Sequence, residues 1–239
     1  MTFGETSGEV FCAKFDSTDK YLATGMADGM CYIYNVQSGK LAFSLQGNLQ
    51  DDMPITAMAW RPVSERLKTM NVLVTAQADG TLKHWHATSG KCLHQIPPEN
   101  GNSLCSIDFN KDGTLLATAG KDRIVRIFDE TTKTIAFPMK EAGDLGGHMN
   151  RIFCVKFNPN DPNMVVSGGW DRTVQIYDLR VRGPVNFFYG PHICGETIDF
   201  RNDSPEMVTG SYRMDEPIEV WDLRMFQRTK VIEWEGTGQ

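Results

Sequence analysis

Gly147-His148-Met149-Asn150-Arg151-Ile152-Phe153-Cys154-Val155-Lys156-Phe157, followed by Met164-Val165-Val166-Ser167-Gly168-Gly169-Trp170-Asp171-Arg172-Thr173-Val174-Gln175-Ile176-Tyr177-Asp178, is the stretch whose reading decides the fold. Each part has a weaker copy elsewhere. The aromatic closing the first apolar run recurs as Phe15, Trp60, Phe109, Phe157 and Phe200, at separations of 45, 49, 48 and 43. A turn aspartate recurs as Asp28, Asp79, Asp122, Asp171 and Asp215. Seven residues after each stands Asn35, His86, Asp129, Asp178 or Asp222, always preceded by an aromatic: Tyr34, Trp85, Phe128, Tyr177 or Trp221. A hydroxyl residue lies four before the aspartate in the first four units (Thr24, Thr75, Thr118, Ser167). In the fifth, Thr209 lies six before Asp215, so that turn carries two extra residues.

The runs are short and rich in β-branched and aromatic residues, so they read as strands. First strands are expected over Val10 to Phe15, Ile55 to Trp60, Leu104 to Phe109, Ile152 to Phe157 and Thr197 to Phe200. Asp28-Gly29 and Asp79-Gly80 are hairpin signals, because glycine accepts positive φ and aspartate bonds the turn backbone. Fourth strands are expected over Lys40 to Leu45, Lys91 to Ile96, Lys133 to Phe137, Val185 to Tyr189 and Thr229 to Trp234. No segment sustains a helical period. Four strands repeated with a period in the mid-forties fit a β-propeller blade, in which radial stacking buries the faces that one sheet cannot bury alone. The small residues Ala23, Ala117 and Gly168 suit close packing between blades.

A chain of 239 residues with 41% hydrophobic residues can bury a substantial core. The net charge of -6 argues against sequence-independent nucleic-acid binding, which needs surplus Lys and Arg. No apolar run approaches a membrane span, and Met1-Thr2-Phe3-Gly4-Glu5 lacks the layout of a secretory signal. The six cysteines form no Cys-x-x-Cys pair, so they are expected to be free, mostly buried thiols in a reducing compartment.

The motifs Gly147-His148, Ser167-Gly168-Gly169-Trp170-Asp171-Arg172, Tyr177-Asp178 and Trp221-Asp222 resemble the WD-repeat family (WD40 type) across residues 7–235. The resemblance implies an all-β propeller with five visible four-stranded blades, at approximately 7–45, 52–96, 101–137, 149–189 and 192–234. WD-repeat propellers most often have about seven blades, so the five are expected to belong to a larger ring. An open arc or closure at five are the alternatives. The resemblance also implies a bracing hydrogen-bond set: His148, Ser167, Asp171 and, in place of Trp, Tyr177. Partial copies are Thr24 and Asp28; Thr75, Asp79 and Trp85; Thr118 and Asp122; and Trp221. Thr6, Asp51, Asn100 and Pro191 stand where the other units would carry His148, and Phe128 has no donor.

Gly-x-Ser-x-Gly, Gly-x-x-x-x-Gly-Lys and His-Glu-x-x-His are all absent from the sequence. An aspartate recurring at one structural place is architectural, so no catalytic, cofactor or metal site is expected. The expectation is a non-catalytic interaction platform, intracellular and foremost cytoplasmic, binding proteins or peptides through the propeller rim as a subunit of a larger assembly. Neither a nucleic-acid nor a membrane partner is expected. Unit four places Trp170, Arg151 and Met149 together, with His192 and Lys121 at equivalent positions of neighbouring units. Trp and Arg are enriched at binding hot spots. The plainer reading is that Trp170 packs on its own blade and Arg151 pairs with a loop acid. Two other functions stay open. Tyr177-Asp178-Leu179-Arg180 and Trp221-Asp222-Leu223-Arg224 are similar to the box by which WD-repeat substrate receptors of cullin-4 ubiquitin ligases contact their adaptor, through Arg180 and Arg224. The other is a structural part in a cytoskeletal, ciliary or RNA-processing assembly, with loops Gln46–Met53 and Ser64–Asn71 as contacts.

Overall fold

A computed structural model describes residues 8–47, 53–63, 69–98, 101–139 and 145–233. Five four-stranded antiparallel sheets follow one another along the chain. The first holds β1 (Val10–Phe15), β2 (Tyr21–Met26), β3 (Cys31–Asn35) and β4 (Leu41–Leu45). The second holds β5 (Ile55–Trp60), β6 (Val72–Gln77), β7 (Leu82–His86) and β8 (Lys91–Ile96). The third holds β9 (Leu104–Phe109), β10 (Leu115–Gly120), β11 (Val125–Asp129) and β12 (Thr134–Met139). The fourth holds β13 (Ile152–Phe157), β14 (Met164–Gly169), β15 (Thr173–Asp178) and β16 (Gly183–Tyr189). The fifth holds β17 (Ile198–Phe200), β18 (Glu206–Gly210), β19 (Ile218–Asp222) and β20 (Gln227–Ile232). Strands run in chain order within each sheet, and successive first strands pack side by side. This is an all-β propeller-type architecture.

Several strand expectations shift, among them the fourth strand of the fourth sheet, which begins at Gly183 rather than Val185. The last strand begins at Gln227 rather than Thr229, because Phe226 (φ 50°) closes a tight turn that lets Gln227 pair with Asp222 at once. In the third sheet the fourth strand runs on to Met139, opposite Val125. A β-bulge falls just before the third-strand aromatic in all five sheets: Ile33/Tyr34, His84/Trp85, Ile127/Phe128, Ile176/Tyr177 and Val220/Trp221. Such a bulge bends the strand and raises its twist.

Apolar seams hold neighbouring blades together. Ile33 and Leu45 meet Ile55 and Trp85 between the first two blades. Val74 and Leu82 meet Ile107 and Phe128 at the next seam. Ile127 meets Val155 and Tyr177 at the third, and Val166 and Ile176 meet Ile193 and Trp221 at the fourth. At Gly168 an added Cβ would stand 2.6 Å from Ile193 Cγ1 and 2.9 Å from Ile198 Cδ1, so only glycine lets blade five approach this closely. Among the described residues no apolar cluster joins blade five to blade one. Phe109 and Phe157 are 7% and 5% exposed against the preceding blade, whereas Phe15, at the same place in blade one, is 54% exposed. Lys14 of β1 forms an ion pair with Glu196, just ahead of β17.

The second seam also contains charge. His84 Nε2 lies 2.9 Å from Glu130 Oε1, whose carboxylate also takes Lys133 and, at 3.8 Å, Arg61. Burial pushes the Glu130 carboxyl up, but the bonds from His84 and Lys133 outweigh it and hold it low. The cysteine expectation needs correction. All six are free, but only Cys31 and Cys154 are buried, while Cys92 and Cys194 are exposed on strand eight and a connector. Burial pushes the Cys12 and Cys154 thiols up to about 12.

Candidate functional site

The start of β13, the β14–β15 turn and the end of β16 lie at one end of blade four, because Ile152 pairs with Gly169 and Thr173 with Tyr189. The turn is held from beneath. His148 Nδ1 lies 2.8 Å from Asp171 Oδ2, and its Nε2 lies 2.7 Å from Ser167 Oγ. Asp171 also accepts from the Met149 N–H at 2.8 Å and the Thr173 hydroxyl at 2.9 Å. Tyr177 bonds Ser167 in turn. One donor order satisfies every group: Tyr177 to Ser167, Ser167 to His148, His148 to Asp171. Burial pushes the Asp171 carboxyl up, and these donors more than reverse that, bringing it to about 2. Burial pushes the Tyr177 phenol up to about 12. This is the Ser–His–Asp order of a hydrolase triad, but Ser167 and His148 are both buried here, which shields the hydroxyl from solvent.

The other blades meet the same need differently. The indoles of Trp85 and Trp221 donate to Thr75 and Thr209, each at 3.0 Å. Asp28, Asp79 and Asp122 cap their own turns, accepting from Met30, Thr81 and Ile124. Thr24 bonds the Tyr32 carbonyl at 3.4 Å, and Thr118 is buried near Phe128. Where His148 has no counterpart, Gln77 bonds the Met53 carbonyl, Asn102 accepts from the Asp122 N–H, and Ser211 accepts from the His192 N–H. These three substitutes fall at no fixed offset, which hid them in the sequence. Thr6, Asp51 and Asn100, and most of both long loops, lie outside the described residues.

On top of this brace, Trp170 stacks on Phe153 with ring centroids 4.9 Å apart. The Arg151 guanidinium stands 5.7 Å from the centroids of both rings. Trp170 therefore packs on its own blade and still leaves 43% of its surface exposed. Arg151 takes no carboxylate among the described residues; it leans toward blade three, where its charge reaches Cys105. Met149 stands beside it, 83% exposed. Phe153 went unremarked in the sequence, although strand alternation puts residues 151 and 153 on one face. Lys121 is exposed on the equivalent turn of blade three. His192 lies lower than expected, its Nδ1 buried, in a cleft with Arg172, Tyr189, Tyr212 and Arg213. A second cleft of about 870 Å³ lies between blades three and four, bordered by Arg123 and Met149.

Arg180 and Arg224 are at the opposite end. Each guanidinium folds back on its own blade, Arg180 on Asp178 at 2.5 Å and Arg224 on Asp222 at 3.0 Å. Among the described residues no three His, Cys, Asp or Glu side chains converge as a metal site, and no helix is long and apolar enough to cross a membrane.

Five four-stranded sheets with this brace define a repeat propeller. The family described as "WD domain, G-beta repeat" matches residues 1–35, 90–129 and 139–178, and the chain belongs to this WD40-type family. Similar proteins include the U3 small nucleolar RNA-associated protein 21 homolog of Schizosaccharomyces pombe, 27% identical over 170 residues, covering 71% of this chain and 17% of the relative. The F-box-like/WD repeat-containing protein TBL1X of Mus musculus is 30% identical over 203 residues, covering 75% of this chain and 35% of the relative. The chain thus spans well under two thirds of the lengths of both. A chain in a crystal structure of the mitotic checkpoint complex superposes with a TM-score of 0.78 at 18% identity, covering 96% of this chain and 65% of that one. It supports the fold alone.

Proposed function

We propose that this protein is a non-catalytic protein-interaction platform whose partners dock on the end of blade four that presents Trp170. The observation carrying this reading is the Arg151–Trp170–Phe153 stack: an exposed indole and an unpaired guanidinium held in fixed geometry on a hydrogen-bonded turn. Preorganised aromatic and arginine side chains bind with little ordering cost. The burial of Ser167 and His148, and thiols raised by burial, favour binding over catalysis. The names of relatives, one an RNA-associated protein homolog and one F-box-like and WD repeat-containing, are consistent with membership of an assembly. Free cysteines suit a reducing compartment. The ligase-adaptor reading finds less support, because Arg180 and Arg224 are engaged by their own aspartates.

The five blades are read as part of a ring of about seven. The bare face at Phe15 supports this.

The test is affinity capture with tagged protein. Trp170→Ala with Arg151→Ala should lose the partners that wild type retains, at an unchanged melting temperature. Arg180→Ala with Arg224→Ala should keep them. The reverse pattern would move the docking site to the opposite end.

A further inference from the structure

The arginines divide into two groups. Arg61, Arg126, Arg180, Arg201, Arg213, Arg224 and Arg228 each hold an Asp or Glu. Among the described residues, Arg123, Arg151, Arg172 and Arg182 hold none. Arg182 lies over the Phe137 ring, in the β15–β16 turn at the far end. The other three stand at the Trp170 end of blades three and four, with Lys121 beside them in the β10–β11 turn. The two carboxylates of these turns do not offset them locally. Asp122 is drawn to Arg126 and the Ile124 N–H, and Asp171 is drawn down to His148. Among the described residues, a protein of net charge -6 therefore presents on one face four cations that hold no carboxylate. Bare apolar surface lies among them: Met149 lines the cleft that Arg123 borders, and the Trp170 ring lies under Arg151.

We propose that this face binds a short acidic segment of a partner protein, its carboxylates meeting Lys121, Arg123, Arg151 and Arg172 and its apolar side chains resting on Trp170 and Met149. The assignment rests on the platform reading above and adds the chemistry of the partner. Charge complementarity selects the sign of the ligand and speeds encounter. Guanidinium groups match carboxylates two bonds at a time. The exposed methionine and indole give an acidic peptide with apolar residues something to bury, which a bare phosphate backbone lacks. The acidic remainder of the molecule would also repel a nucleic acid, whose charge extends beyond the patch.

The test is fluorescence anisotropy on the whole chain with three labelled probes. One is a peptide of glutamates and aspartates around a Phe and a Leu. The second is the same peptide with every acid replaced by its amide. The third is an oligodeoxyadenylate of similar length. The acidic peptide should bind saturably, about tenfold or more tighter than the amide peptide. It should weaken as salt rises from about 50 to about 300 mM. Arg123→Glu with Arg172→Glu should weaken the acidic peptide about tenfold and leave the amide peptide unmoved. Both side chains are exposed, so an unchanged thermal melt controls for folding. Equal binding of acid and amide peptides, no saturable binding of the acidic one, indifference to the charge reversal, or tighter oligonucleotide binding would each overturn the proposal. If the acidic assignment fails while Trp170→Ala still abolishes partner capture, the platform reading stands without it.

Discussion

His148 Nδ1 lies 2.8 Å from Asp171 Oδ2, and this pairing fixes the turn from which Trp170 projects. The Asp171 carboxyl sits at about 2, below its ordinary 3.8. A carboxylate depressed by folding stabilises the protein fully above the unfolded value, and that contribution fades as pH falls through the folded one. The window is therefore about pH 4 down to about pH 2, and the contribution is roughly 2 kcal/mol. Urea midpoints measured across that window should fall more steeply for wild type than for Asp171→Asn. Parallel curves would show that the hydrogen bonds to Asp171 carry no such linkage.

Phe15 and Phe157 occupy the same place in blades one and four, one bare and one covered. Phe157→Ala should cost roughly 3–5 kcal/mol, as other emptied aromatic core sites do, and Phe15→Ala less than about 1 kcal/mol. Denaturant unfolding of the two variants measures this directly. Equal losses would mean that the Phe15 face is covered in solution.

Gly168 lets Ile193 and Ile198 close the seam between blades four and five. Gly168→Val should therefore lose roughly 1–3 kcal/mol through overpacking. Gly146→Ala, where an added Cβ meets nothing within 4 Å, should leave the melting temperature in place. Thermal melts of the two variants separate a packing requirement from a general intolerance of substitution.

Glu130 is the shared acceptor for His84, Lys133 and Arg61, with a fully buried side chain. Glu130→Gln strands buried cations and should cost roughly 3–5 kcal/mol in urea unfolding. A loss no larger than that of an exposed control such as Asp215→Asn would show that the network relaxes into water.

The repeat was legible because its signals are periodic. Asp171 and its copies, the aromatic six residues on, and the strand-closing aromatics survive comparison of the units with no outside information. His148, Ser167, Asp171 and Tyr177 lie in one unit and were nameable together. The His84–Glu130 pair was not, because its members are 46 residues apart in different blades and match no repeated position. The bulges before Tyr34 and its copies were invisible for another reason: an inserted pairing step changes register without leaving a residue-type signature. Among the candidate contacts, Trp170, Arg151 and Met149 stood out as departures from the repeat. Phe153 and Arg172 did not, because a strand phenylalanine and a turn arginine look ordinary until the neighbouring elements are in place.

The docking surface is tested most directly by site-specific photocrosslinking in cells, with the photoreactive residue at position 149 or at position 181. Met149 stands beside Trp170, and Val181 is exposed in the turn at the opposite end of the same blade. The expected result is a discrete protein adduct from position 149 that disappears with Trp170→Ala, and none from position 181. An adduct from position 181 alone, or one from position 149 that survives Trp170→Ala, would contradict the assignment of the Trp170 face as the docking surface.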